Sequence, residues 1–373
     1  MRPPGGRPQP VPMNINYCSL PPQPPPSLPA GLEADRLDAL IAGQFMWLNG
    51  TVLHYYFFDG ETDGSVIPIP GEGTTRWVSW VGGKDQQDVV RESFQAWKDL
   101  GIGLEFAEVT DRTEAEIRIG FQRGNGSYSR LGRSALTVGT DQRTMNFGWS
   151  LTPPGERSTA LHEIGHAFGM VHEHQSPFAG IVWDEEAVYA DLAGPPNFWP
   201  PEKTLNNIIS KYRPSDVNGS VWDPDSIMEY PFHPSLILQP EKYRAGLFPP
   251  GRISEIDAAF VHRWYPPLGA AEPPLLVPFR SVPLGLEAGA QADFVIVPEA
   301  TRDYTVATFG ESDAVLVLFE EVDGEPRYLT GEDDGGRPDN VSVSAHLLKG
   351  RRYVVRVRLH SAWGSGQTAV MCW

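Results

Sequence analysis

The spacing of apolar residues changes repeatedly along this chain, and each change predicts an element. Between Asp85 and about Leu100, Val89, Val90, Phe94 and Trp97 fall on one helical face, which predicts an amphipathic helix capped by Asp85 with that stripe in the core. The segment from Trp47 to Phe58 predicts a turn at Asn49-Gly50 followed by a strand. Ala115 to Phe121 alternates as a strand does, and Arg143 to Trp149 is a further candidate. The break Pro153-Pro154-Gly155 then precedes a helix that runs through His162 and His166. Trp183 to Leu192 and Glu202 to Tyr212 read as helices, and Ser254 caps a last helix through Trp264 that Pro266-Pro267 ends.

After a Pro- and Ala-rich stretch the period becomes two. Phe294 to Val297, Tyr304 to Phe309, Ala314 to Phe319, Val341 to Leu347 and Tyr353 to Leu359 read as short strands of a small β-sandwich. The expected organisation is therefore an arm over 1–45, a mixed domain over 46–268, a linker over 269–278 and an all-β domain over 279–373. A chain of 373 residues with 40% hydrophobic content is long enough for two cores. The first thirty residues carry 11 prolines, which favours extended polyproline conformation over a core, and Leu32 to Leu40 reads as a short helix.

Charge narrows the functions. The formal net charge is −17 and the acidic excess is spread through both halves, which argues against nucleic acid and anionic membranes as partners. No stretch approaches the roughly 20 apolar residues of a membrane-spanning helix, and the amino terminus lacks the apolar core of a signal peptide. A monomer is expected.

The segment His162-Glu163-Ile164-Gly165-His166-Ala167-Phe168-Gly169-Met170-Val171-His172-Glu173 carries the chemistry. On a helix, His162 and His166 share a face with Cβ atoms about 5–6 Å apart, so both can reach one ion at about 2.0–2.1 Å. Glu163 lies about 100° around the helix and can face a water on the metal without being a ligand. His172 would be turned about 240° away if the helix continued, so the helix must stop, and Gly169 is the residue that can adopt the left-handed conformation needed. Three histidine ligands leave a position open, which points to a catalytic zinc ion; structural zinc usually has four protein ligands. The competing reading is a pair of ordinary helix histidines, because His-Glu-x-x-His alone also occurs without metal.

Downstream, Asp225-Ser226-Ile227-Met228-Glu229-Tyr230-Pro231 reads as a tight turn carrying a methionine. Alone, Met228 reads more readily as a core side chain. Together with the histidine segment, this turn resembles the Met-turn of metzincins, and Ser-Ile-Met-x-Tyr resembles the astacin family in particular. The resemblance spans about residues 45–267. It implies an α+β metzincin catalytic domain with a twisted, mostly parallel sheet, two long helices and a zinc cleft. It also implies that Tyr230 is a loose zinc ligand that swings off to bond the tetrahedral intermediate; a tyrosine packed below the site and bonded locally is the alternative. Glu173 is read as bracing the site. Glu229 stands where the family usually has histidine, and no cysteine lies between residues 50 and 267, so the two disulfides of animal members cannot form. Residues 124–131 resemble the family's edge strand along the cleft, with an ordinary glycine-rich loop as the other reading. The C-terminal strands, with Ser312-Asp313-Ala314 and Glu332-Asp333-Asp334-Gly335-Gly336 between them, resemble the pre-peptidase C-terminal domain. Asp333 and Asp334 could help bind calcium, but a solvated turn is the stronger reading and calcium has no other support.

The expected function is a zinc-dependent endopeptidase acting on polypeptides, with one zinc on His162, His166 and His172, Glu163 as general base and Tyr230 assisting. The alternatives are a zinc-binding pseudoenzyme or a recognition protein acting through the C-terminal domain. The resemblance implies action outside the cell, with a cytoplasmic location as the alternative. Cys18, in Tyr17-Cys18-Ser19-Leu20-Pro21-Pro22, can reach the open position across an arm that spans up to about 3.3 Å per residue, which would make residues 1–45 an inhibitory prosegment. A free thiol or a disulfide to Cys372 explains the same residue without a switch.

Overall fold

The computed structural model describes residues 15–21, 46–47, 49–68, 74–212, 221–268, 272–287, 290–310, 312–332, 340–359 and 365–373. The expected helix at Leu32 to Leu40 and the turn with Asp333 and Asp334 lie outside these residues.

The N-terminal half is built on one sheet. In chain order come β1 (Val52–Phe57), a ribbon of β2 (Gly64–Pro68) and β3 (Thr75–Ser79), helix α1 (Lys84–Lys98), β4 (Glu105–Glu108), β5 (Ile117–Gly120), β6 (Tyr128–Ser129) and β7 (Met145–Asn146). The sheet order is β4-β1-β5-β7-β6, with β6 antiparallel at one edge and the other pairs parallel. Every residue of β1 is buried, as expected for a central strand covered on both faces. Helix α2 (Arg157–Ala167) packs beside α1, whose Val90, Phe94 and Trp97 join Leu53, Ile117 and Ile164 in the core. Asp85 is not the cap of α1: Gly83 is, and Asp85 lies in the first turn, where a carboxylate also favours the helix dipole. The strand expected over Arg143 to Trp149 is only Met145–Asn146, because β7 pairs with just the last two residues of β5 and with the two-residue β6.

Below the cleft the chain is less regular. It forms β8 (Val182–Trp183), α3 (Glu185–Ala193), α4 (Pro201–Thr204), β9 (Ile237–Gln239) and α5 (Glu255–Trp264). The helix expected over Glu202 to Tyr212 is one α-turn that widens into a π-type turn over Leu205–Ile209. Ser254 caps α5 with a full capping box through Asp257. The lower core gathers Trp183, Ile208, Tyr230 and Phe232, and Ile15, Tyr17 and Cys18 of the arm belong to it.

The C-terminal half is a sandwich of two antiparallel four-stranded sheets. These are β10 (Val282–Leu286), β17 (Gly366–Cys372), β12 (Arg302–Thr308) and β15 (Ser342–Leu347) against β11 (Gln291–Ile296), β16 (Tyr353–Leu359), β13 (Ala314–Val322) and β14 (Glu325–Glu332). Strand β16 is buried at every position because the second sheet is covered twice. Leu316, Leu318 and Val355 face the sandwich core. Val315, Val317, Phe319 and Val354 form a separate buried cluster on the opposite face. Val317 and Phe319 line a hollow shared with Trp47, Val52 and Leu136, and Arg327 pairs with Glu114 at 3.1 Å. Cys372 is a free, buried thiol in β17, so the disulfide to Cys18 is not formed.

Candidate metal centre

Helix α2 places His162 and His166 one turn apart, with ring centroids 4.7 Å apart and rings nearly perpendicular. The helix ends at Phe168, and Gly169 takes a φ of 103°, which costs glycine nothing. The Met170 N–H then bonds back to the Gly165 carbonyl at 3.1 Å, and the chain doubles under the helix to bring His172 Nε2 within 3.0 Å of His166 Nε2. Each imidazole is aimed by a partner on Nδ1: the Ile227 carbonyl at 2.8 Å for His162, the Met170 carbonyl at 2.7 Å for His166 and Gln175 Oε1 at 3.1 Å for His172. These acceptors hold the proton on Nδ1 and turn all three Nε2 lone pairs toward one point. Burial pushes His162 down to about 4 and pushes His166 and His172 further below the ordinary histidine range, so all three are neutral donors at neutral pH.

The turn at Met228 lies directly beneath. A Cβ on Gly165 would meet Met228 Sδ at 2.5 Å, so the sulfur packs where only glycine leaves room. The turn is clamped from α5: Asp257 accepts from Ser226 Oγ at 2.6 Å, Ile227 N at 2.8 Å and Ser254 N at 2.9 Å. Glu173 ties the third-histidine segment to this turn, its N–H donating to the Met228 carbonyl and its carboxylate accepting from Asp223 N at 3.2 Å. Asp257→Ala strands the buried Ile227 N–H and the half-buried Ser254 N–H and is expected to cost about 2–4 kcal/mol in denaturant unfolding and to weaken zinc retention, because Ile227 no longer holds His162. Unchanged stability and metal content would remove Asp257 from this role.

Cys18 completes the group. Its Sγ lies 3.1, 3.6 and 3.3 Å from Nε2 of His162, His166 and His172. A tetrahedral zinc with Zn–N of about 2.0–2.1 Å and Zn–S of about 2.3 Å requires N···S separations of about 3.5 Å, so this donor set fits zinc in both spacing and chemistry. Tyr230 Oη is 2.7 Å from His172 Nε2 and 2.9 Å from Cys18 Sγ. Glu163 is fully buried beside them, and neither carboxylate oxygen has a hydrogen-bond partner among the described residues. Burial pushes its carboxyl well above the ordinary range.

Comparison with known proteins now adds to the geometry. The sequence model of the peptidase family described as Astacin matches residues 80–180. The solved structure of myroilysin is 31% identical, covering 60% of this chain and 97% of its own, with a TM-score of 0.50. The chain belongs to the astacin family. A curated relative, Metalloendoproteinase 1-MMP of Arabidopsis thaliana, is 26% identical over 144 residues, 34% of this chain and 39% of that protein, so the chain spans less than half of that relative's length. The pre-peptidase C-terminal domain of collagenase from Bacillus anthracis is similar at 12% identity, with 28% of this chain and 99% of that one covered and a TM-score of 0.25.

In this astacin-family chain the metal site is straddled by the arm. Tyr17 packs on Trp199, Tyr230 and Phe232, with its ring centroid 5.3 Å from that of Tyr230. Ser19 N donates to the Ser127 carbonyl at 3.1 Å, beside edge strand β6. Residues 124–131 thus contain a short edge strand as well as the glycine-rich turn. Glu229, placed where the family usually has histidine, is buried; it accepts from Trp222 Nε1 and Tyr230 N at 2.7 and 2.8 Å. His174 stacks on Tyr230 at 4.7 Å. Sequence reasoning misses Gln175, His174 and Asp257: the first two directly follow Glu173, whereas Asp257 lies three residues after the cap Ser254 and carries no signal of a bond to the distant Met228 turn.

Proposed function

We propose that this chain is a zinc-dependent endopeptidase, synthesised with its metal site closed by Cys18. The observation that carries the reading is the convergence of three neutral imidazoles and one thiol on a single point, beside a buried, unpartnered carboxylate and a tyrosine hydroxyl. His162, His166 and His172 would hold the metal. When bound, zinc supplies Lewis acidity that polarises a carbonyl and lets water ionise near pH 7, instead of about 15.7.

The remaining work falls to the chain's own groups. Glu163 accepts a proton from the attacking water and returns it to the leaving amine; its raised affinity for protons suits a base that must also act as an acid. Tyr230 donates to the oxygen on which negative charge develops. Gln175, Met170 and Ile227 keep the imidazoles oriented through the cycle. A pseudoenzyme retaining a structural metal would need neither Glu163 nor Tyr230. Membership of the astacin family favours action outside the cell. Among the described residues, no helix is long and apolar enough to cross a membrane.

Zinc-loaded protein freed of the Cys18 contact is expected to cut unfolded protein at internal bonds and to stop when a chelator removes the metal. Cleavage that persists without metal overturns the reading. Tyr230→Phe is expected to keep zinc and to lower kcat more than it changes KM, because its hydrogen bond strengthens in the transition state. A rise in KM alone would make Tyr230 a substrate-binding residue instead.

A further inference from the structure

Two asparagines in the irregular lower half grip the arm by its main chain, one on each side of Cys18. Asn197 Oδ1 accepts from Tyr17 N at 3.1 Å, while its Nδ2 donates to the Ile15 carbonyl at 2.9 Å. Asn207 Oδ1 accepts from Leu20 N at 3.0 Å. Opposite them the Ser127 carbonyl takes Ser19 N, so the neighbouring amides of Ser19 and Leu20 are bound from the upper and the lower wall of the cleft. No side chain of the arm takes part in these four bonds, so the asparagines read its main chain, while Ile15, Tyr17 and Cys18 pack their side chains into the lower core.

Both asparagines stand on irregular backbone. Asn197 precedes Phe198, an aromatic residue held at φ 50° and 68% exposed, so the left-handed conformation is not offset by burying the ring. Asn207 lies in the π-type turn Leu205–Ile209, an irregularity that recurs at functional sites. It is fixed there from behind, because its Nδ2 donates to the Lys203 carbonyl at 3.0 Å and its own carbonyl lies 2.9 Å from His174 Nε2, the ring stacked on Tyr230. An amide side chain carries a donor and an acceptor, so it can pair with an extended chain running in either direction.

We propose that Asn197 and Asn207 are main-chain clamps that hold a polypeptide across the metal centre: the arm in the closed protein and the substrate once the arm has left. The inference rests on the peptidase reading and adds to it that two asparagines of the lower wall bind the substrate by its backbone. Asn207 is a positioning residue that sets the peptide's depth in the cleft next to Tyr230.

The test has two arms. In the zinc-loaded full chain, the clamps shield Cys18, so Asn197→Ala and Asn207→Ala should each raise the rate of iodoacetamide alkylation at Cys18 about tenfold, read by mass spectrometry separately from Cys372. An unchanged rate in both overturns the clamp. In the Cys18→Ala chain, peptides in which each non-scissile amide near the cut is replaced in turn by an ester are compared with the all-amide peptide. One ester should lower kcat/KM about tenfold, because it removes the N–H that Asn207 accepts. That ratio should fall to near one with Asn207→Ala added. Because the arm competes equally with both peptides, the ratio does not depend on arm occupancy. An ester penalty of the same size with and without Asn207→Ala overturns the substrate clamp. Absence of any peptide cleavage overturns the peptidase reading, while the alkylation rates still report on the clamp.

Discussion

Glu163→Gln is expected to retain one zinc per chain and to lose at least about 10²-fold in rate on an unfolded protein substrate. The amide keeps the shape and burial of the carboxylate but cannot take a proton, and the three imidazoles that hold the metal are each aimed by other groups. Metal content and rate should therefore separate. Among the described residues the buried carboxylate makes no ion pair, so no salt bridge is lost in the exchange. The comparison needs zinc analysis and initial rates on the same preparation. Full activity in the glutamine variant would take Glu163 out of the chemistry, and loss of zinc would make it a structural support.

Cys18→Ala is expected to change activity in the other direction. A thiol tethered to the chain presents itself to the metal at about millimolar effective concentration, so its removal should raise the activity of the reduced, full-length protein on the order of 10²- to 10³-fold. The gain should fall short of that from deleting residues 1–45, because Tyr17, Ser19 and Leu20 keep their own contacts with Trp199, Ser127 and Asn207. Equal activity in wild type, variant and deletion, all under reducing conditions, would show that the arm does not close the site.

The parts of this structure legible in the sequence are those whose geometry is local. His162, His166 and Gly169 lie within three turns of one another, and periodicity alone puts two rings on one face and a stop before His172. The stripe of Val90, Phe94 and Trp97 is legible for the same reason. What escaped depends on partners far along the chain. Asp257 clamps the Met228 turn from α5 across some thirty residues, and nothing in Ser-Glu-Ile-Asp distinguishes that from an ordinary cap. Strands β10 and β14 are edges, where Pro283 and Pro326 are tolerated and polar residues are favoured, so their apolar pattern is weak. Whether Cys18 points at the histidines or pairs with Cys372 cannot be decided from reach, since both are permitted. The decision comes from Tyr17, whose ring is buried in the lower core and fixes where its neighbour points. Asn197 and Asn207 have no signature at all, because they act through irregular backbone that propensity does not encode.

A zinc site of three histidines closed by a thiolate from the chain's own arm has a distinct signature in X-ray absorption at the zinc edge of the reduced protein. Expected is one zinc per chain with three nitrogen neighbours at about 2.0–2.1 Å and one sulfur at about 2.3 Å, the sulfur being replaced by oxygen in Cys18→Ala. A first shell without sulfur in the wild-type protein, or one unchanged by Cys18→Ala, would contradict it.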